Sequence, residues 1–351
     1  MYHFCTYFDQ HYLPQGLALY RSLKEHCSDF RLWVLCLDGA THDVLSSLHL
    51  PCARLIALGD LEAGDEELLG AKHNRSRVEY YFTCTPSLLL FILHNQPEVK
   101  CITYLDADLF FFADPAPIFD EVADYSVAIV AHRFPPNLRH KEKFGIYNVG
   151  WLSFRRGQQA LACLRWWRDR CIEWCYDRVD NGRFADQKYL DDWPTRFREV
   201  IVLQHKGANL APWNLVNYGV RARGNQIWVD EDPLIFFHFH GLKQVKIWLW
   251  EPSFREYNVN PPRVVRRKIY VPYIRELLHV TQELSSLLPQ SMVPEDMRNS
   301  STRESTQVST YRRVARHLRR SVTQGRDLLV GRYILSLCLL PFARFDGLGH
   351  R

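Results

Sequence analysis

The run Tyr104-Leu105-Asp106-Ala107-Asp108-Leu109-Phe110 puts two carboxylates one residue apart at the end of an apolar stretch. In extended backbone, residues i and i+2 share a face, so both acids can reach one site. Two negative charges held together repel unless a cation lies between them, and oxygen ligands of this kind suit Mg²⁺ or Mn²⁺. The competing reading is a strand-end turn with two solvated acids; the apolar flanks favour the metal. In Phe236-Phe237-His238-Phe239-His240-Gly241-Leu242-Lys243, two histidines follow an apolar run. They precede a glycine, which lets backbone approach a ligand closely, and a lysine able to hold a phosphate. Asp186-Gln187 reads either as a site pair or as the solvated start of a short helix. Asn148, two residues before Gly150, implies a polar ligand pressed against a sheet, or a bulge.

Other chemistries are excluded by their missing signatures. There is no GxxxxGK[ST] phosphate loop, no GxSxG elbow and no HExxH. The ten cysteines form no paired CxxC, which removes zinc ribbons and thioredoxin-type redox chemistry. A haloacid-dehalogenase reading of the two aspartates fails because Phe110 stands where that motif wants Thr or Val, and because the motif lies mid-chain.

The elements that must position these residues follow from periodicity. Strands are expected at 2–8, 31–37, 53–58, 100–105, 125–131 and 147–154. Helices are expected at 13–26, at 77–95 with a local break at Pro86, and at 158–178. Asp38-Gly39 reads as a turn closing the second strand. Strands that alternate with helices indicate an α/β domain with a mainly parallel sheet, and the carboxyl edge of such a sheet is where ligands bind.

The 351 residues, 47% hydrophobic and 24% charged, can bury a sizeable core. The net charge of +5 is not strongly basic overall, but residues 303–351 hold ten arginines against three acids. Segment 285–310, rich in Ser, Thr, Pro and Gln, reads as a linker. No secretory signal is visible, and no stretch reaches 18 uninterrupted apolar residues. Many cysteines sit in apolar strand-like runs, so a reducing, cytoplasmic compartment is expected.

In order and spacing these motifs resemble the GT-A-fold glycosyltransferases, closest to the retaining glycogenin and galactosyltransferase group (family 8), in a bacterial subgroup. The resemblance covers about residues 2–250. CTYFDQHYLPQGLALYRSL is similar to that group's first strand and helix, YLDADLFF to its metal-binding DxD, YNVGWLSF to its N-x-G strand, FADQKYL to its D-Q motif, and HFHG to its H-x-x-G. It implies a Rossmann-like, mainly parallel sheet flanked by helices over 1–265, then a helix and linker over 266–310 and a basic helical tail over 311–351. It implies transfer of a sugar, with retention, from a nucleoside diphosphate sugar (a UDP-sugar) to a saccharide or lipid-linked glycan. Asp106, Asp108 and His238 would hold Mn²⁺ or Mg²⁺. Thr6, Tyr7, Asp9, Tyr12, Asp106, Asn148, Gly150, His240, Gly241, Lys243 and Lys246 would bind the donor, and Asp186 and Gln187 would line the β face of its sugar. The sequence departs from the group in three places. The group's lysine falls at Gln244, flanked by Lys243 and Lys246; the Pro-Trp usual after that lysine is replaced, with Trp248 near; and no arginine follows Tyr80-Tyr81. Segment 205–215 (HKGANLAPWNL) is polar and aromatic and takes no role by alignment.

Two other classes fit the sequence less well. A sugar-nucleotide pyrophosphorylase needs a glycine-rich amino-terminal loop, and residues 2–12 contain no glycine. A nucleic-acid-binding protein would grip through the tail, which carries no recognised motif. In that tail Tyr311, Val314, Ala315, Leu318 and Val322 fall on one helical stripe, opposite Arg312, Arg313, Arg316, Arg319 and Arg320. Leu328 to Phe342 is mostly apolar but interrupted by Arg332. The pattern is that of a helix lying on an anionic membrane surface, peripheral on the inner leaflet, which suits an acceptor such as a growing lipopolysaccharide core.

Overall fold

Apolar runs alternating with amphipathic ones give the order strand, helix, strand in the computed structural model, which describes residues 1–246, 249–287 and 334–335. The chain divides into two compact units, 1–239 and 240–351. The first begins β1 (Tyr2–Phe8), α1 (Leu13–His26), β2 (Phe30–Cys36), α2 (Gly39–Ser47), β3 (Ala53–Ala57), α3 (Leu58–Glu62), α4 (Glu66–Lys72), α5 (Arg77–Asn95), β4 (Cys101–Leu105) and β5 (Leu109–Phe111). It continues with α6 (Ala116–Glu121), β6 (Val127–Ala131), β7 (Tyr147–Arg155), α7 (Gln158–Glu173), α8 (Trp193–Arg196), β8 (Val200–Val202), β9 (Val220–Arg223), β10 (Gln226–Val229), β11 (Asp232–Pro233) and β12 (Phe236–His238).

Seven strands form one sheet in the order β3-β2-β1-β4-β7-β6-β8. Only β7 runs against its neighbours; every other adjacent pair is parallel. The mixed α/β class and the mainly parallel sheet are those expected. Because β7 is antiparallel, Trp151 lies opposite Leu105 at the carboxyl end of β4. The start of β7, with Asn148 and Gly150, therefore stands beside Asp106, whose amide donates to the Gly150 carbonyl (3.2 Å).

A short antiparallel ribbon, β5 with β12, places His238 opposite Leu109. It rests on fully buried aromatics: Trp151 stacks on Phe236 at 5.2 Å, and Phe111 lies 5.5 Å from Phe236. Desolvating rings of this size contributes on the order of 2–3 kcal/mol each, which anchors the ribbon.

Three local expectations differ from the structure. Asp38 and Gly39 open a helix: Asp38 Oδ1 accepts from the Thr41 amide (2.7 Å) and caps α2. The same short carboxylate serves a turn or an N-cap, and the downstream apolar pattern decides. Helix α5 runs unbroken through Pro86, capped by Ser76 and Glu79. An interior proline costs about 3 kcal/mol, and the burial of most of the helix's second half offsets it. The helix expected at 158–178 stops at Glu173, where Trp174 turns extended.

The second unit pairs β13 (Lys243–Lys246) with β14 (Leu249–Glu251), antiparallel. A π-helical turn, Val265–Tyr270, leads into a helix, Val271–Leu287, that buries Tyr273, Ile274, Leu277, Val280 and Leu284 at helical spacing. The first unit ends at Phe239, and Gly241 sits at φ +69 just before the hairpin. Ile334–Leu335, inside the tail expected to be helical, is a two-residue strand against β14. The rest of the linker and the basic stripe lie outside the described residues. Among the described residues no helix is long and apolar enough to cross a membrane.

Candidate active site

Asp106 and Asp108 follow β4, and β12 brings His238 to them. His238 Nε2 lies 3.1 Å from Asp108 Oδ1 and 3.6 Å from Asp106 Oδ2. The His238 side chain is 3% exposed, while Asp106 and Asp108 keep 30% and 17%. The three groups therefore form the floor of an accessible edge. The oxygen donors of Asp106 and Asp108 and the imidazole of His238 are of the kind Mg²⁺ or Mn²⁺ takes, and Asp108 and His238 are placed closely enough to share an ion. Burial raises the Asp106 pKa to about 6, against the pull of His238 and with a further push from the Asp108 charge. Burial lowers the His238 pKa, but the two carboxylates outweigh it and hold it above its ordinary value.

Gly150 is required by close approach. A Cβ there would stand 2.6 Å from Asn148 Oδ1 and 2.9 Å from the His238 ring. Asn148 is fully engaged: its Oδ1 accepts from the Gly150 amide (3.1 Å), and its Nδ2 donates to Gln187 Oε1 (3.2 Å) and faces His132 Nε2 (3.4 Å). His132 Nδ1 lies 3.3 Å from the Ile146 carbonyl. A proton on Nδ1 satisfies both contacts, leaving Nε2 to accept. Gln187 also accepts from the Val149 amide (3.4 Å) and donates to the Phe144 carbonyl (3.0 Å), so its amide is fixed in orientation.

Asp186, 4% exposed, precedes the 3-10 turn Lys188–Asp192. Ala185 before it sits at φ +45, and the Trp167 indole donates to the Asp186 carbonyl (2.8 Å). Its carboxylate accepts from Thr85 Oγ1 (3.0 Å). Burial raises its pKa from 3.8 to about 7, partly opposed by the Thr85 bond, and the Asp106 charge adds to the rise. Between those values the folded protein keeps a proton that the unfolded chain has released, so stability falls as pH rises through the window. Asp186→Asn, which buries no charge, is expected to raise the melting temperature near about pH 8 and to change it little near about pH 5. A lower melting temperature near pH 8 would show that the buried charge is not destabilising.

The structure gathers Asp106, Asp108, His238, Asn148, Gly150, Asp186 and Gln187 at one end of the sheet. Tyr7 joins them through a hydroxyl contact to Thr85 (3.2 Å). Tyr12, the last residue of the 3-10 turn after β1, is 49% exposed. Asp9 is committed to the turn that follows it, accepting from the His11 amide (3.0 Å). Thr6 is fully buried, on the opposite face of β1 from Tyr7. His240, Gly241, Lys243 and Lys246 belong to the second unit, where the two lysines are exposed on β13. Trp248, near the position of the family's Pro-Trp, lies outside the described residues.

Sequence reasoning missed Thr85, Tyr104, His132 and Trp213. The Trp213 ring packs edge-on against both His238 (5.1 Å) and His132 (5.3 Å). The polar, aromatic run 205–215 was its only signal. Asn214 fixes that run by donating to the His132 and Asn209 carbonyls (3.0 and 2.9 Å).

No family model matches the chain. Among curated proteins it is similar to the uncharacterized protein YfnD of Bacillus subtilis (strain 168), with 34% identity over 82% of this chain and 92% of YfnD. It is likewise similar to the uncharacterized protein YfnF of the same organism, with 35% identity over 70% of this chain and 82% of YfnF. Among solved structures it is similar to the galactosyltransferase LgtC in complex with donor and acceptor sugar analogs (16% identity, TM-score 0.49, 85% of this chain and 99% of that one). It is similar also to mouse xyloside xylosyltransferase 1 (14% identity, TM-score 0.44, 68% and 98%).

Proposed function

The chain belongs to one family with YfnD and YfnF, and we propose that it is a metal-dependent glycosyltransferase. On this reading it moves a sugar from a nucleoside diphosphate sugar, a UDP-sugar, to a saccharide or lipid-linked acceptor with retention of configuration. One observation carries the reading. Asp106, Asp108 and His238 converge with Asn148, Gly150, Asp186 and Gln187 on one sheet edge, although their motifs span more than a hundred residues of sequence.

Asp106, Asp108 and His238 would hold Mn²⁺ or Mg²⁺, which supplies Lewis-acid stabilisation of a leaving diphosphate. The chain's own groups do the rest. Gly150 lets the Asn148 amide and the His238 ring pack directly against the strand. Asn148 orients Gln187, whose amide oxygen collects its hydrogen bonds on one side. Asp186, nearly sealed from water, presents a carboxylate whose charge interacts strongly with a developing positive centre. The proposed acceptor at an anionic membrane surface draws its support from the arginine pattern of residues 311–322 alone.

The test is transfer with stereochemistry. The full chain, a panel of UDP-sugars, Mn²⁺ and oligosaccharide or lipid-linked acceptors are incubated, and the product's anomeric configuration is read by NMR. A product with the donor's configuration is expected. An inverted product would remove the retention claim and the β-face roles of Asp186 and Gln187.

A further inference from the structure

We infer that the end of the sheet opposite the acids holds a second binding site, which takes a small organic anion with a flat apolar body. A pocket of about 520 Å³ opens there, a volume that suits small ligands. Neighbouring strands form its floor. Cys101 opens β4 and pairs with Arg155 at the end of β7. Tyr2 opens β1, two residues before Phe4, which pairs with Thr103 of β4. Residues two apart on a strand share a face, so Tyr2, Cys101 and Arg155 stand in one row. Phe119 of α6 and Ala123 of the turn after it also line the pocket, and the Phe119 ring stacks on Tyr2 at 4.2 Å.

The lining is mostly apolar, and the charges on it are unbalanced. Lys100 and Arg155 meet one carboxylate there, that of Glu98. Among the described residues neither cation has a side-chain hydrogen bond or an ion pair. The α-amino group of Met1, also at the pocket, is held by Asp29 (2.9 Å). His3 adds an imidazole whose Nδ1 has no hydrogen-bond partner. Burial lowers its pKa, against the pull of Glu98, so it is neutral at about pH 7. Two cations against one carboxylate leave a positive surplus at the mouth of an apolar space. An anion between them relieves their repulsion, and a guanidinium grips carboxylate or phosphate through two parallel N–H groups. The aromatic pair favours a flat apolar body behind that anion. The sugar-transfer reading uses the other ends of β4 and β7, so this site stands apart from it.

The test uses the metal-free full chain with phenyl phosphate as probe, phenol as its uncharged counterpart and inorganic phosphate as the anion without a body. Binding is followed by calorimetry and by protection of Cys101 from iodoacetamide, read peptide by peptide by mass spectrometry. Cys101 is half-buried in the pocket, and burial raises its thiol to about 11, so alkylation at about pH 8.5 is slow enough to time. Phenyl phosphate is expected to half-saturate at about 1 mM and to protect Cys101, with phenol and inorganic phosphate each at least about tenfold weaker. Arg155→Gln, at an exposed position, should weaken phenyl phosphate about tenfold. Ala123→Trp, also at an exposed position, puts a ring into the pocket and should abolish binding. Phenol binding as tightly as phenyl phosphate overturns the anion, and inorganic phosphate doing so overturns the apolar body. Binding that ignores both variants or leaves Cys101 unprotected lies elsewhere and overturns the site, as does no binding up to about 10 mM.

Discussion

Asp108→Ala is expected to lower metal-dependent turnover at least about a thousandfold while the fold survives. The side chain sits at the sheet edge, and the carbonyl that ties Asp108 to the Phe239 amide (3.0 Å) is kept by alanine. Removing the carboxylate leaves His238 one acidic partner instead of two and takes an oxygen donor from the cation site. Steady-state rates at several Mn²⁺ concentrations, with circular dichroism of the same samples, check this. Wild-type transfer by the variant would move the metal site elsewhere.

The second large effect is at Asp186. Asp186→Asn should lower kcat at least about a hundredfold with UDP affinity within about threefold, because the charge acts on the transition state rather than on the bound nucleotide. The same variant is the one expected to be more stable at high pH, so stability and rate should move in opposite directions, as they do where a functional charge is buried at a cost. An equal loss of UDP binding would make Asp186 a donor-binding residue, and its burial under Thr85 and Trp167 a matter of packing.

Legibility followed the range of the interaction. The paired acids after a strand, N-x-G and Asp-Gln are local patterns, and each came to the edge where a parallel sheet presents its strand ends. The strands around them were legible because apolar runs of five to nine residues leave few alternatives. Asp38 and Pro86 misled because a capping carboxylate and a proline are ambiguous until the packing of the following turn is known. Thr85, Tyr104 and His132 were invisible because hydroxyls and a lone histidine carry no periodic signal. Their partners lie up to 101 residues away. Thr6 and Tyr7 entered together through the resemblance of the first strand, yet successive residues of a strand face opposite ways. Lys243 and Lys246 entered as the lysines flanking Gln244, where the resemblance puts its own lysine, and they lie on β13 of the second unit.

The central claim is that the acid and imidazole cluster at the end of β4 serves sugar-nucleotide chemistry. The most direct measurement is nucleotide release from a panel of UDP-sugars by the purified full chain, with Mn²⁺ and then with excess EDTA. The account predicts slow release of UDP from at least one donor, lost on chelation, restored by Mn²⁺ and absent in Asp108→Ala. Release that is indifferent to EDTA and to Asp108, or no release from any donor with metal present, would contradict it.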